Sequence, residues 1–377
     1  MILIYKITLS EKLYFSISPE RKIFMKLSRI LALALSLAVS VTLLGGCQKS
    51  ETPSSSSSAA ADSSVSTPDG STPDVSRPTG DVGANVTFLS GPTGVGAAKM
   101  MEDNAASDSP AWNISIAATN DEIVPMLNQG SLDIAATATN VASNLYNKTD
   151  GKITMLAINT EGVLYVLEKG NSIQSMADLK GKTLYAPITA KGANPEFIFN
   201  YLLTANGVQP AEVTIEWLTP QEITAKLASS DSGIALLPVP AATALLLKDQ
   251  DVREALNLSA EWNKVSKSPL VMGCVVVRTQ FLQENPDVVD AFLKEYQASI
   301  AYMKDPANLE AGAALVAKHG ITANAQIAKR AIPQCNLTYL EGADMRQAAQ
   351  DYYEILFKAN PASIGGSIPY DSFYYIP

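Results

Sequence analysis

A chain of 377 residues, 47% hydrophobic and 17% charged, is too apolar to be disordered and longer than one hydrophobic core usually serves. A net charge of −9 without a basic stripe or an aromatic platform excludes an obvious nucleic-acid partner. One histidine and three cysteines, with no CxxC and no paired histidines, argue against zinc, and no cofactor or metal is expected.

Met1 to Phe24 has mixed polarity and no assignable role. Met25 is followed by Lys26 and Arg29, then by the apolar run Ile30 to Leu44, the order of charged region and apolar core found in export signals. The run is about 15 residues, shorter than the roughly 20 that a membrane-spanning helix needs. It ends in Leu44-Gly45-Gly46-Cys47, which resembles the lipobox of bacterial lipoproteins. That resemblance implies cleavage before Cys47 and lipid (palmitate among its chains) on the cysteine sulfur; translation is expected to start at Met25. The signal region is thus 1–46. Residues 47–83, dominated by Ser, Pro, Thr, Asp and Gly, read as a flexible tether that holds a folded domain near a membrane.

Val86 to Met101 reads as a strand, a turn from Ser90 to Gly96, and a helix start at Ala97. Helix N-termini carry unpaired N–H groups and a partial positive charge, and glycine lets a ligand approach the backbone. Ser90, Gly91, Pro92, Thr93, Gly94 and Val95 are therefore candidates for one wall of a small-molecule cleft; a plain βα connection is the competing reading. A P-loop is excluded because Ala97 and Ala98 follow Gly96 where Lys and Ser/Thr are required. The dinucleotide fingerprint fails because Lys99 stands at its third glycine.

The next elements are a strand over 113–118, a helix over 121–128 capped by Asn120 or Asp121, a strand over 132–137 and a helix over 141–146. Thr137, Thr139 and Asn140 fall between the last two and become candidates, as ligand contacts or helix caps. Strands over 152–158 and 162–167 follow, with Glu161 between them at a hinge or rim position. A strand at 183–186 then leads through Pro187 to Pro195 into a helix over 196–206. Thr189, Ala190, Lys191, Gly192 and Ala193 are the candidates in this second strand–turn–helix. Lys191 is read either as the site's positive charge or as a solvated loop residue. A strand over 213–217, a helix over 221–229, the apolar strand 233–238 and a helix over 241–248 complete this part, with Pro238 and Pro240 as candidates. After a strand within 269–279 the chain turns helical, over 285–303, 309–318, 323–332 and 344–357. Short strands alternating with helices indicate an α/β protein with two doubly wound lobes. The expected divisions are 84–182, 183–270 and a return to the first lobe over 271–377.

His319, before Gly320, reads as a helix C-terminus rather than a catalyst. Cys274 and Cys335 are read as a disulfide or as buried small apolar groups. Trp112, Trp217 and Trp262 are assigned to the core.

Four segments in order carry a family resemblance. These are Gln129–Ala135 (G-x-x-D-hydrophobic-A), Asp178–Leu184 (DLKGK), the apolar Gly233–Pro240 strand ending in proline, and Val276-Val277-Arg278 with Asn285–Val289. The chain resembles bacterial ABC-transporter substrate-binding proteins of the nitrate/sulfonate/taurine type. The resemblance implies two hinged α/β lobes with the ligand between them (the type II periplasmic-binding fold). It implies no enzymatic activity, monomeric delivery of a small molecule to an ABC permease, and anchoring at the extracytoplasmic face of the cell membrane. Members often have an acidic residue before the proline of the second-lobe strand. Here Leu236-Leu237-Pro238 is apolar, which argues against a strongly cationic ligand. An organic anion such as a sulfonate fits the donor-rich turns; a neutral heteroaromatic vitamin precursor fits the Pro238–Pro240 wall. An enzyme or a sensor lipoprotein on the same fold are the alternatives, the former lacking the cysteine-rich motif and active-site histidine that pyrimidine-precursor synthase relatives need.

Overall fold

The computed structural model describes residues 83–377; the signal region, Cys47 and nearly all of the tether lie outside the described residues. Chain order begins β1 (Ala84–Leu89), α1 (Pro92–Ala106), β2 (Trp112–Ala117), α2 (Asn120–Gln129), β3 (Ile134–Ala138), α3 (Thr139–Lys148) and β4 (Ile153–Thr160). It continues with β5 (Leu164–Lys169), β6 (Thr183–Pro187), α4 (Asn194–Ala205), β7 (Thr214–Leu218), α5 (Pro220–Ala228), β8 (Gly233–Pro238), α6 (Ala241–Lys248), β9 (Val252–Asn257) and α7 (Leu258–Val265). It returns through β10 (Gly273–Arg278), α8 (Thr279–Glu284), α9 (Pro286–Lys304), α10 (Leu309–Lys318), α11 (Ala325–Ala331), β11 (Leu337–Leu340) and α12 (Gly342–Ala359).

These strands make two sheets, ordered β11-β4-β10-β3-β1-β2 and β7-β6-β8-β5-β9. The α/β class is as expected, but neither sheet is purely parallel. β10 lies antiparallel between β3 and β4, and β5 lies antiparallel between β8 and β9. Both antiparallel strands follow the points where the chain passes from one sheet to the other, at 161–163 and again at 270–272. The strand at 164–169, grouped above with the first lobe, pairs in the second sheet. Its buried apolar side chains fit either sheet, and only the pairing with Leu237 and Leu256 distinguishes them. β9, α7 and β11 were not anticipated. β9 carries Arg253 and Glu254 in a sequence that also suits a helix, and β11 is only four residues long.

On the first sheet, α1 and α9 cover one face. Phe88, Phe292 and Tyr296 stack there with ring centroids 5.3 and 5.7 Å apart along the chain of contacts. Gly96 keeps this contact close: a Cβ would stand 3.2 Å from Ile300 Cγ1, tighter than most such contacts. Ser299 Oγ donates to the Gly96 carbonyl at 2.7 Å and accepts from Met100 N at 3.0 Å, tying the helices together. α2, α3 and α12 lie against the other face, where Tyr352, Tyr353 and Phe373 are fully buried. The tryptophans behave as expected: Trp112 and Trp262 are buried and Trp217 packs half-buried against the core. Among the described residues no helix is long and apolar enough to cross a membrane.

Candidate ligand-binding site

The carboxyl ends of β1, β3, β6 and β8 open onto one cleft of about 1720 Å³. Each of these strands feeds a helix whose first turn faces the cleft, as open α/β sheets dictate. The helices are α1, α3, α4 and α6, and none has a side-chain cap at its N-terminus. Their first N–H groups are the donors that helix geometry leaves unpaired. One is spent locally: Thr139 N donates to the Met272 carbonyl at 3.1 Å.

α1 starts five residues earlier than expected, because Pro92 occupies its first turn, where its fixed φ and missing N–H cost nothing. The left-handed Gly91 (φ +100°) delivers the chain into it. Ser90, Gly91, Pro92 and Thr93 line the cleft; Gly94 and Val95 do not, since one helical turn swings them toward the core. Thr93 hydroxyl donates to the Leu89 carbonyl, so its role toward a ligand is to shape rather than to donate. Thr137 and Asn140 line the cleft, whereas Thr139 turns inward. Thr189, Lys191, Gly192 and Ala193 line the second-lobe lip, with Ala190 buried behind them. Pro238 and Pro240 line the wall, with Val239 between them.

Several lining residues carry no signal in the local sequence. Thr160 ends β4 at the first crossover, and Asn194 opens α4. Ser363 comes from the C-terminal segment, pinned to α3 when Asn144 Nδ2 donates to its carbonyl at 2.8 Å and Ser143 Oγ to that of Ile364 at 2.8 Å. Gly273 forms floor at the second crossover. A Cβ there would lie 2.6 Å from Asn159 Oδ1 and 2.9 Å from Thr93 Cγ2.

Three of the buried lining side chains have hydrogen-bonding capacity left over. Thr160 Oγ1, Asn140 Oδ1 and Asn194 Nδ2 have no protein partner, although their residues are only 2, 4 and 3% exposed. Buried polar groups are ordinarily paired, so such a cluster in a cleft points to a ligand. Tyr352 is fully buried and its hydroxyl has Asn194 Oδ1, 2.5 Å away, as acceptor. The amide NH₂ is left without a protein partner.

Charge is confined to the edges. Among the described residues the charged ones that line the cleft are Asp121, Lys148, Lys152, Lys191 and Arg278, all exposed or half-buried, and Arg278 is held by Asp133 at 2.5 Å. Glu161 lies at the first crossover, its N–H bonded to the Asn336 carbonyl; burial raises its pKa against the opposing pull of Lys304 and Thr338. His319 caps the C-terminus of α10 with Nε2 3.3 Å from Glu102, outside the cleft. Cys274 and Cys335 are free and buried, and burial pushes the Cys335 thiol to about 12 and that of Cys274 higher still. Among the described residues no three His, Cys, Asp or Glu gather closely enough to hold a metal ion.

The model of the NMT1/THI5-like family matches residues 113–308, just over half of the chain. The chain belongs to the NMT1/THI5-like family. No curated protein matches it significantly. Solved structures share the fold of this NMT1/THI5-like protein at low identity. An ABC transporter protein from Parabacteroides distasonis is 23% identical with TM-score 0.64, covering 79% of this chain and 99% of its own. The periplasmic aliphatic sulphonate binding protein of Escherichia coli is 16% identical with TM-score 0.62, covering 77 and 93%. The ligand-binding component of an ABC-type import system from Staphylococcus aureus, solved with zinc bound, is 14% identical with TM-score 0.58, covering 78 and 96%.

Proposed function

We propose that this chain is an extracytoplasmic solute-binding lipoprotein that captures a small organic anion and delivers it to an ABC import permease. The observation that carries the reading is the meeting of four uncapped helix N-termini with the buried, unpartnered Asn194, Thr160 and Asn140 in one cleft. Helix N-termini favour negative charge without needing a cation, and the donors come from both sheets. The name of the Escherichia coli neighbour, an aliphatic sulphonate binding protein, supports the same class. The chain acts as a binding protein and not an enzyme: its histidine and both described cysteines lie away from the cleft lining. Cys47 carries the lipid, residues 47–83 are the leash, and the folded part works as a monomer.

One observation favours a second reading, a neutral polar ring compound: the buried floor has no cation, and Phe197 with Pro238 and Pro240 gives it an apolar side. An isosteric pair decides. Calorimetric titration of the full chain with ethanesulfonate and with the neutral ethyl methyl sulfone should give binding of the anion alone. Preference for the sulfone would overturn the anion reading in favour of the second.

A further inference from the structure

The cleft, at about 1720 Å³, is wider than the roughly 300–1,000 Å³ in which proteins usually enclose a small molecule. The form described here is therefore an open one, and gripping a small solute requires the two sheets to approach. A tie between the two halves lies off the cleft lining, at residues 334–336. Gln334 ends a short 3-10 turn (Ile332–Gln334), and its Oε1 accepts a hydrogen bond from Thr243 Oγ1 at 2.8 Å. Thr243 is buried in the first turn of α6, which packs on the second sheet and follows the cleft-lining Pro238, Pro240 and Ala241. Two residues beyond Gln334, Asn336 stands in the left-handed region (φ +42°), which asparagine tolerates better than most side chains. There it grips the first crossover twice: its carbonyl accepts from Glu161 N at 3.0 Å, and its side-chain amide donates to the Gly162 carbonyl. Leu337 then enters the first sheet opposite Thr160. The pivot itself is tightly packed. Ser259 Oγ of α7 also donates to the Gly162 carbonyl, at 2.9 Å, and a Cβ on Gly162 would stand 2.8 Å from Leu270 Cδ2 on the second crossover.

We infer that the Thr243–Gln334 hydrogen bond is a latch that holds the cleft open and is given up on closure. This rests on the solute-binding reading above and adds a regulation of the same site. Gln334 travels with the first sheet and the crossover, through Asn336 and Leu337, whereas Thr243 travels with the second sheet. Rotation of one sheet against the other about the crossovers leaves the bonds at Gly162 almost unstretched and lengthens those farther out. A hydrogen bond tolerates only about 0.5 Å of stretch, so the Thr243–Gln334 bond is lost. A second tie, from the Tyr352 hydroxyl to Asn194 Oδ1, also joins the halves, but Asn194 lines the cleft. Neither Thr243 nor Gln334 is a lining residue, so this latch can be removed without altering a ligand contact.

The test measures the closed fraction directly. Spin labels are attached to the full chain at Glu122→Cys and Gln221→Cys, exposed positions in the first turns of α2 and α5 beside the two lips of the cleft. Without added ligand, Thr243→Val is expected to enlarge the short-distance population roughly three- to tenfold, the worth of one hydrogen bond. Affinity for ethanesulfonate should rise by the same factor, because apparent affinity scales with the competent fraction. Gln334→Ala removes the bond from its half-buried side and should give the same two gains, and the double variant no more than either. A contact that merely supports the fold would instead leave affinity equal or weaker. Unchanged distances, or a measurable affinity that does not rise, overturn the latch. Distances that shift while no variant binds ethanesulfonate support the latch and contradict the anion reading alone.

Discussion

Asn194 and Tyr352 act as a pair. The tyrosine hydroxyl donates to the amide oxygen, and the amide NH₂, left without a protein partner, is the donor assigned to the ligand in the proposed site. Asn194→Leu is expected to weaken ethanesulfonate binding by about ten- to a hundredfold, the worth of one hydrogen bond to a charged partner. Tyr352→Phe leaves the buried amide oxygen unpaired, which costs on the order of 1–3 kcal/mol of stability. It also frees the amide to turn, so ligand affinity falls although Tyr352 is not itself a lining residue. Calorimetry and thermal unfolding of the two variants separate these effects; full affinity in Asn194→Leu would remove the residue from the site. At this scale the sequence was informative where chemistry is local. Ser90 to Thr93, Thr137 and Asn140 were legible because glycine, proline and hydroxyl residues punctuate βα turns. Thr160, Asn194 and Ser363 were not, because nothing near them in the chain says that a crossover, a second lobe and a C-terminal segment meet.

At the scale of elements, the crossovers carry two predictions. Gly273 is the one residue type that fits between Asn159, Thr93 and Thr160 at the floor. Gly273→Ala is expected to destabilise the protein by about 1–3 kcal/mol through overpacking, and to weaken ligand binding by displacing Thr160, as denaturant unfolding and titration would report. Glu161 titrates against folding. Its folded pKa is raised by burial, so its protonated form suits the folded state. The associated stability is present below the ordinary carboxylate range and is lost as pH rises through the folded value. Glu161→Gln should therefore unfold at higher temperature than the parent near pH 7 and lose that advantage near pH 4; an equal difference at both would refute the assignment. Element boundaries taught a related lesson. α1 was expected at Ala97 because three glycines and a proline look like a turn, yet Pro92 is a favoured first residue and Gly94 and Gly96 sit in tight contact with Leu89 and Ile300. Glycine read as flexibility was in fact glycine used for contact.

For the whole molecule, alternation of strands and helices revealed the α/β class, while strand partners were beyond reach. β5 and β10 are apolar runs that could sit in any parallel interior, and only the folded chain turns them antiparallel beside the crossovers. The two sheets are linked at 161–163 and 270–272, and the proposed function predicts closure once a ligand bridges them. Saturating ligand should reduce the radius of gyration in solution scattering and slow amide exchange across both crossovers; no change in either would mean a rigid cleft. The most direct test is a crystal structure of the protein with ethanesulfonate bound. The account predicts sulfonate oxygens at roughly 3 Å from Asn194 Nδ2 and, at the same time, from an N–H in the first turn of α1 or α3. A sulfonate bound to one sheet alone, or outside the cleft, would contradict it.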